Sequence, residues 1–154
     1  MKICRSIDEI RKCVADLKQK GDVGLVTTMG ALHRGHVSLV ETAVAQNANT
    51  VATIFVNPTQ FGNPEDLANY PKTEAEDIAK LEAAGAVAVF IPTADEIYPN
   101  GDETIVETKN LANVMHGLVR PGHFRGVATV VSKLFHIIQA DRAYLARKTI
   151  NNSL

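Results

Sequence analysis

Two imidazoles, His33 and His36, stand three residues apart in the run Thr27-Thr28-Met29-Gly30-Ala31-Leu32-His33-Arg34-Gly35-His36-Val37-Ser38-Leu39, with glycines interleaved. An imidazole beside a phosphate can donate a hydrogen bond to a phosphoryl oxygen and stabilise charge that builds up as a bond to phosphorus breaks. Gly30 and Gly35 let a ligand approach the backbone with no Cβ in the way. A lone His-x-x-His could equally cap a turn or fill a surface niche. The glycines, placed between an apolar run (Val23-Gly24-Leu25-Val26) and a helix-like one, point instead to an anion held at a strand-to-helix turn.

A second set of polar residues follows Phe55-Val56. Gln60 carries one acceptor and two donors on its amide, which suits a ligand bearing both hydroxyl and carboxylate groups, and a solvent-facing loop glutamine is the plain alternative. Asn57 either holds that loop or touches the ligand, and Phe61 either walls a pocket or plugs the loop to the core. His123, Arg125 and Lys133 lie in or after a glycine-rich loop, Arg120 to Gly126, and could meet phosphate or carboxylate or merely start a helix. Tyr70 is equally open, since Pro71 at a helix start accounts for its neighbourhood.

The elements that must position these residues follow from periodicity. Ser6 to Gln19 opens with a Ser-x-x-Glu capping box (Ser6, Glu9) and spaces Ile7, Ile10, Val14 and Leu17 as a helix does. Its Arg11, Lys12 and Lys18, with Arg5 and Lys20, read as a solvated face. Strands are expected at 23–27, 50–56 and 87–91, apolar nearly throughout as in a buried parallel sheet. A weak edge strand is expected at 104–108, and a last strand near Ala143. Helices are expected at 36–47, Glu65 to Asn69, Thr73 to Ala84 (stopped by Gly85), Asn110 to Met115 and Val127 to Gln139. Strand, helix, strand in succession makes a doubly wound, Rossmann-like α/β domain, with ligands at the carboxyl ends of the strands. Both the histidine turn and the Asn57–Gln60 loop fall on that edge.

Bulk properties narrow the class. The chain has 154 residues, 45% hydrophobic and 21% charged, with a formal net charge of −1. That length suits one domain, and near-neutral charge argues against affinity for a phosphodiester backbone. Cys4 and Cys13 have neither metal-site nor redox spacing, and no run is apolar enough for a signal core or a membrane span. The compartment expected is the cytoplasm, with no nucleic-acid or membrane partner and no metal held by side chains.

His-x-Gly-His after a strand resembles the signature of the nucleotidyl transferases that include class I aminoacyl-tRNA synthetases. The flanks narrow this. Thr-Thr-Met-Gly-Ala-Leu-His-x-Gly-His, then Phe55-Val56-Asn57-Pro58-Thr59-Gln60-Phe61, Tyr70-Pro71-Lys72-Thr73, Ile97-Tyr98-Pro99-Asn100-Gly101 and Arg120-Pro121-Gly122-His123-Phe124-Arg125-Gly126-Val127 are similar, in order, to blocks of the pantoate–β-alanine ligase (pantothenate synthetase) family. The resemblance implies ATP-dependent joining of pantoate to β-alanine through a pantoyl adenylate, with Mg²⁺ accompanying ATP, in a homodimer. It implies that Met29, Gly30, Ala31, Leu32, His33, Arg34, Gly35 and His36 hold ATP. His36 is by resemblance the proton donor, with His33 beside it as the second catalytic candidate, and Gln60 holds pantoate near β-alanine, with Asn57 as a further substrate contact. Two alternatives remain: nucleotidyl transfer to a phosphorylated alcohol, and a nucleotide-binding domain without ligase activity.

The likeness ends near Tyr144. The family continues Phe-Gly-Glu-Lys-Asp-Tyr-Gln-Gln-Leu, whereas this chain reads Leu145-Ala146-Arg147-Lys148-Thr149-Ile150-Asn151-Asn152-Ser153. Written TTT GGC GAG AAA GAC TAT CAA CAA CTC, the family's segment loses one T to become TTG GCG AGA AAG ACT ATC AAC AAC TC, which spells this chain's residues in order. The expectation is therefore an ATP- and pantoate-binding domain over 1–144, a frame-shifted tail over 145–154, and no smaller C-terminal domain.

Overall fold

The computed structural model describes residues 1–57, 65, 68, 72–99 and 121–145, with the side chains of the last helix described from Thr129 onward. Five strands form one sheet: β1 (Lys2–Cys4), β2 (Val23–Thr28), β3 (Asn49–Ile54), β4 (Ala88–Phe90) and β5 (Arg142–Leu145). Their spatial order is β1-β4-β3-β2-β5, and every neighbouring pair is parallel. From β2 the chain steps outward through β3 to β4, then crosses to the other side of β2 for β5. The order thus reverses beside β2, and open sheets of this kind take ligands at the carboxyl edge of such a reversal.

Helices cover both faces. α1 (Ile7–Lys18) and α5 (Pro121–Ile138) pack on one, where Ile10, Val14, Leu25, Val51, Phe90, Leu134 and Ile138 share a core. α2 (Arg34–Gln46) and α3 (Glu74–Ala84) cover the other, over Val26, Val40, Ala52, Ile54, Leu81 and Val89. Strand residues alternate between these two cores, so β3 is buried along its whole length and needs no polar side. A short α4 (Ala94–Ile97) follows β4.

The local signals act as expected at several ends. The Ser6 hydroxyl accepts the Glu9 N–H at 3.2 Å, closing the N-terminus of α1. Gly85, at φ +107°, ends α3, and the Ala86 N–H returns to the Leu81 carbonyl at 3.0 Å. Three elements differ from the sequence reading: α4 (Ala94–Ile97), which has no counterpart in it, β1 and the start of α5. β1 is a three-residue edge strand, too short to show a period. The stretch 121–126, expected as a glycine-rich loop, forms the first turns of α5. Proline at a first helical position supplies a helical φ and lacks only an N–H that would be unpaired there, which outweighs two helical glycines. The expected strand at 104–108 and helix at Asn110 to Met115 lie outside the described residues, as does most of the helix expected from Glu65, of which Glu65 and Ala68 are helical.

Cys4 and Cys13 are free and buried against one another in the first core, where burial pushes the Cys4 thiol up to about 11. Among the described residues no helix is long and apolar enough to cross a membrane.

Candidate nucleotide site

β2 ends at Thr28, and the chain must turn sharply to start α2 at Arg34. Thr28 anchors the turn: its buried hydroxyl donates to the Thr53 carbonyl at 2.8 Å and accepts the Gly30 N–H at 3.2 Å. Gly30 (φ +82°) and Ala31 (φ +51°) are both left-handed. At Gly30 an added Cβ would also meet Asp77 Oδ2 and Ile54 Cγ2 at 3.2 Å, so glycine is required there on two counts.

The histidines close the helix N-terminus reciprocally. His33 is the N-cap, and its Nδ1 accepts the Gly35 N–H at 2.9 Å. His36 occupies the third helical position, and its Nδ1 accepts the His33 N–H at 3.2 Å. This is the capping-box arrangement with imidazoles in place of Ser and Glu, which gives the three-residue spacing a structural reason as well as a chemical one. The rings lie 4.0 Å apart between centroids. His33 is exposed and His36 is buried, at 7% of its accessible surface.

An Nδ1 that accepts a backbone N–H must keep its lone pair, so the neutral ring carries its hydrogen on Nε2. For His36 the electrostatics agree. Burial and the neighbouring His33 lower its pKa to about 4, against a smaller opposing pull from Asp77. At neutral pH His36 is therefore an uncharged Nε2–H donor. It can stabilise a phosphoryl oxygen by hydrogen bonding without carrying positive charge.

Asp77, on α3, was not among the residues singled out from the sequence. Its carboxylate is 1% exposed, and it accepts the Ala31 N–H (Oδ2) and the Leu32 N–H (Oδ1), each at 2.9 Å, with the Thr73 hydroxyl 3.1 Å from Oδ2. Lys80, one turn further, donates to the Leu32 carbonyl at 2.9 Å. The main-chain donors of Ala31, Leu32 and Gly35 are thus committed within the protein. The signal that could have found Asp77 is an acid four residues before the buried Leu81, on the inward face of its helix.

Asn57 lies just past β3 on the same sheet edge. It is 0% exposed, and its Oδ1 accepts the Tyr98 hydroxyl at 3.0 Å. Tyr98, the aromatic of the Ile97-Tyr98-Pro99 block, packs near Phe55, and Lys133 of α5 brings its ammonium to 5.1 Å from the Tyr98 ring centroid. Lys133 is therefore tied through Tyr98 to the Asn57 side of the sheet edge. His123 and Arg125 fall on the first turns of α5. Gln60, Phe61 and Tyr70 lie outside the described residues. No group of three or more His, Cys, Asp or Glu gathers as a metal site among the described residues.

Comparison with known proteins agrees with this fold. The family described as pantoate-beta-alanine ligase matches residues 2–153, running past Tyr144 into the segment read as frame-shifted. Pantothenate synthetase from Ruegeria sp. (strain TM1040) is 54% identical, the alignment covering 95% of this chain and 52% of that protein. The Koribacter versatilis (strain Ellin345) enzyme is 52% identical, over 96% of this chain and 51% of its own. Among solved structures, pantoate-beta-alanine ligase from Francisella tularensis, complexed with beta-gamma ATP and beta-alanine, superposes with a TM-score of 0.83 at 40% identity, covering 93% of this chain and 55% of that one. Pantothenate synthetase from Thermus thermophilus gives a TM-score of 0.80 at 46% identity, over 93% and 51%. The chain spans about half the length of the curated relatives it matches. With a family match over nearly all its residues and relatives above half identity, this chain belongs to the pantoate-beta-alanine ligase family.

Proposed function

We propose that this chain forms the ATP-binding half of a pantoate–β-alanine ligase. The observation that carries the reading is the reciprocal histidine cap at the β2–α2 turn, beside the strand-order reversal, in a chain whose relative from Francisella tularensis was solved with beta-gamma ATP and beta-alanine. In the reaction, a pantoate carboxylate oxygen attacks the α-phosphorus of ATP and pyrophosphate leaves. The β-alanine amine then attacks the acyl carbon of the pantoyl adenylate, AMP leaves, and the amine gives up a proton as the amide forms.

The turn from Met29 to His36 holds the triphosphate, with His36 and His33 offering Nε2–H groups to phosphoryl oxygens. His36 acts as a neutral hydrogen-bond donor rather than as an imidazolium, and its contact strengthens as charge develops on the departing pyrophosphate. Gln60 serves pantoate, and Asn57, wholly buried with its Oδ1 on the Tyr98 hydroxyl, supports that side of the site from behind. Magnesium arrives with ATP. The Asp77 carboxylate is engaged by the Ala31 and Leu32 N–H groups, and a magnesium ion accompanying ATP would supply neutralisation of phosphate charge at the turn. The full-length protein is a cytoplasmic homodimer in this reading.

Calorimetric titration of the chain with ATP, beside His36→Ala, tests the assignment. Binding by the parent, weakened in the variant, is expected. Equal affinity in both would remove His36 from the site, and no binding by the parent would remove ATP.

A further inference from the structure

Given the reading of this turn as an ATP site, on which this step rests, we propose that Asp77 is a positioning residue: its carboxylate fills the concave backbone of Gly30–Leu32 from the α3 side and so sets the turn that carries His33 and His36. The successive N–H groups of Ala31 and Leu32 converge on one carboxylate, as the amides of an anion-binding backbone nest do. Here the anion is part of the protein. Three successive amides are each held by a side-chain acceptor: Ala31 by Asp77 Oδ2, Leu32 by Asp77 Oδ1, and His33 by His36 Nδ1. The nest and the histidine cap are therefore one continuous hydrogen-bonded strip.

A fixed negative charge close to a polyphosphate site repels the ligand, so attraction does not explain its placement. Shape does. Both oxygens are engaged, the burial cost is offset by charge-assisted bonds, and Gly30 lacks the Cβ that would crowd Oδ2 at 3.2 Å. Lys80, bonded to the Leu32 carbonyl, adds a compensating positive charge at the same turn and ties α3 to it a second time. The phosphates are left to the imidazole side.

Asp77→Asn keeps the volume but sets an NH₂ against one of two backbone N–H groups, and Leu81→Ala, in the core that Leu32 also enters, is a control that costs stability while removing none of the turn's hydrogen bonds. In the Asn variant, amide exchange at Ala31 or Leu32 should rise by about tenfold or more. The ¹⁵N signature of His36 should drift from the Nε2–H tautomer, and ATP affinity should fall roughly tenfold. Leu81→Ala should leave the histidine signature in place. Asp77→Glu, which keeps the charge on a longer arm, should recover part of the signature. Unchanged exchange and tautomer in Asp77→Asn, or an equal histidine response in Leu81→Ala, would overturn the assignment. So would ATP affinity that holds while the turn loosens. Absence of ATP binding by the unsubstituted chain would instead overturn the ATP reading, on which the exchange and tautomer readouts do not depend.

Discussion

His36 is asked to do two things with one ring: Nδ1 holds the His33 amide, and in the proposed site Nε2–H is offered to a phosphoryl oxygen. Because folding lowers its pKa from 6.5 to about 4, the unfolded chain takes up a proton that the folded one resists throughout that interval. The stabilisation is complete above pH 6.5 and is lost as pH falls toward 4. Urea unfolding should show the parent roughly 2 kcal/mol less stable at about pH 5 than at about pH 8, within the order of magnitude such shifts allow. His36→Asn, which keeps an acceptor but does not titrate, should flatten the difference, and a parent with no such slope would contradict the neutral-donor assignment. These imidazoles were legible in the sequence because glycines and a strand-helix junction flank them. Asp77 was not, because its partners are main-chain amides 45 and 46 residues away, and an amide has no residue type to read.

Legibility at the scale of elements followed length. α1, β2 and α3 announce themselves through caps and sustained periods, while three-residue β1 has neither, and Pro121 hid the start of α5 among residues that usually make loops. The α3 terminus offers a direct check. Gly85→Ala would put a Cβ about 3.1 Å from Val44 Cγ2 at a φ that side chains rarely adopt. A loss of about 1–3 kcal/mol is expected from the left-handed strain and crowding together. A chemical melt matching the parent's would mean that the C-terminus of α3 relaxes freely. Since α3 carries Asp77 and Lys80, the same variant should also weaken ATP binding, although it lies on the opposite end of the helix from the turn.

Over the whole molecule, the doubly wound architecture was readable from strand-helix alternation, and the site's two loops from their place after β2 and β3. The Gln60 side of that reading lies outside the described residues. Relatives are about twice as long as this chain, and phosphoryl-transfer catalysis multiplies contributions of a few kcal/mol from each charged contact. Assayed with ATP, pantoate and β-alanine, the 154-residue chain is therefore expected to form pantothenate at a small fraction of the rate of a version extended to the relatives' length. Comparable rates would show that this half suffices. Sequencing the coding DNA at the codon for Leu145 checks the frame-shift reading separately.

The sheet also acts as a partition. Leu32, behind the histidine turn, belongs to the core under α2 and α3, whereas Phe55 and Tyr98, behind Asn57, belong to the core under α1 and α5. Each side of the proposed site thus stands on its own core, and a defect beneath one need not tilt the other. Ile10→Val and Ile54→Val, one on each side, should each cost about 1 kcal/mol, and together should sum to within about 0.5 kcal/mol. A large coupling energy in that cycle would mean the sheet transmits strain. Independence would mean that grip on the nucleotide and grip on the acid can drift separately as sequences diverge, each tuned by repacking its own side.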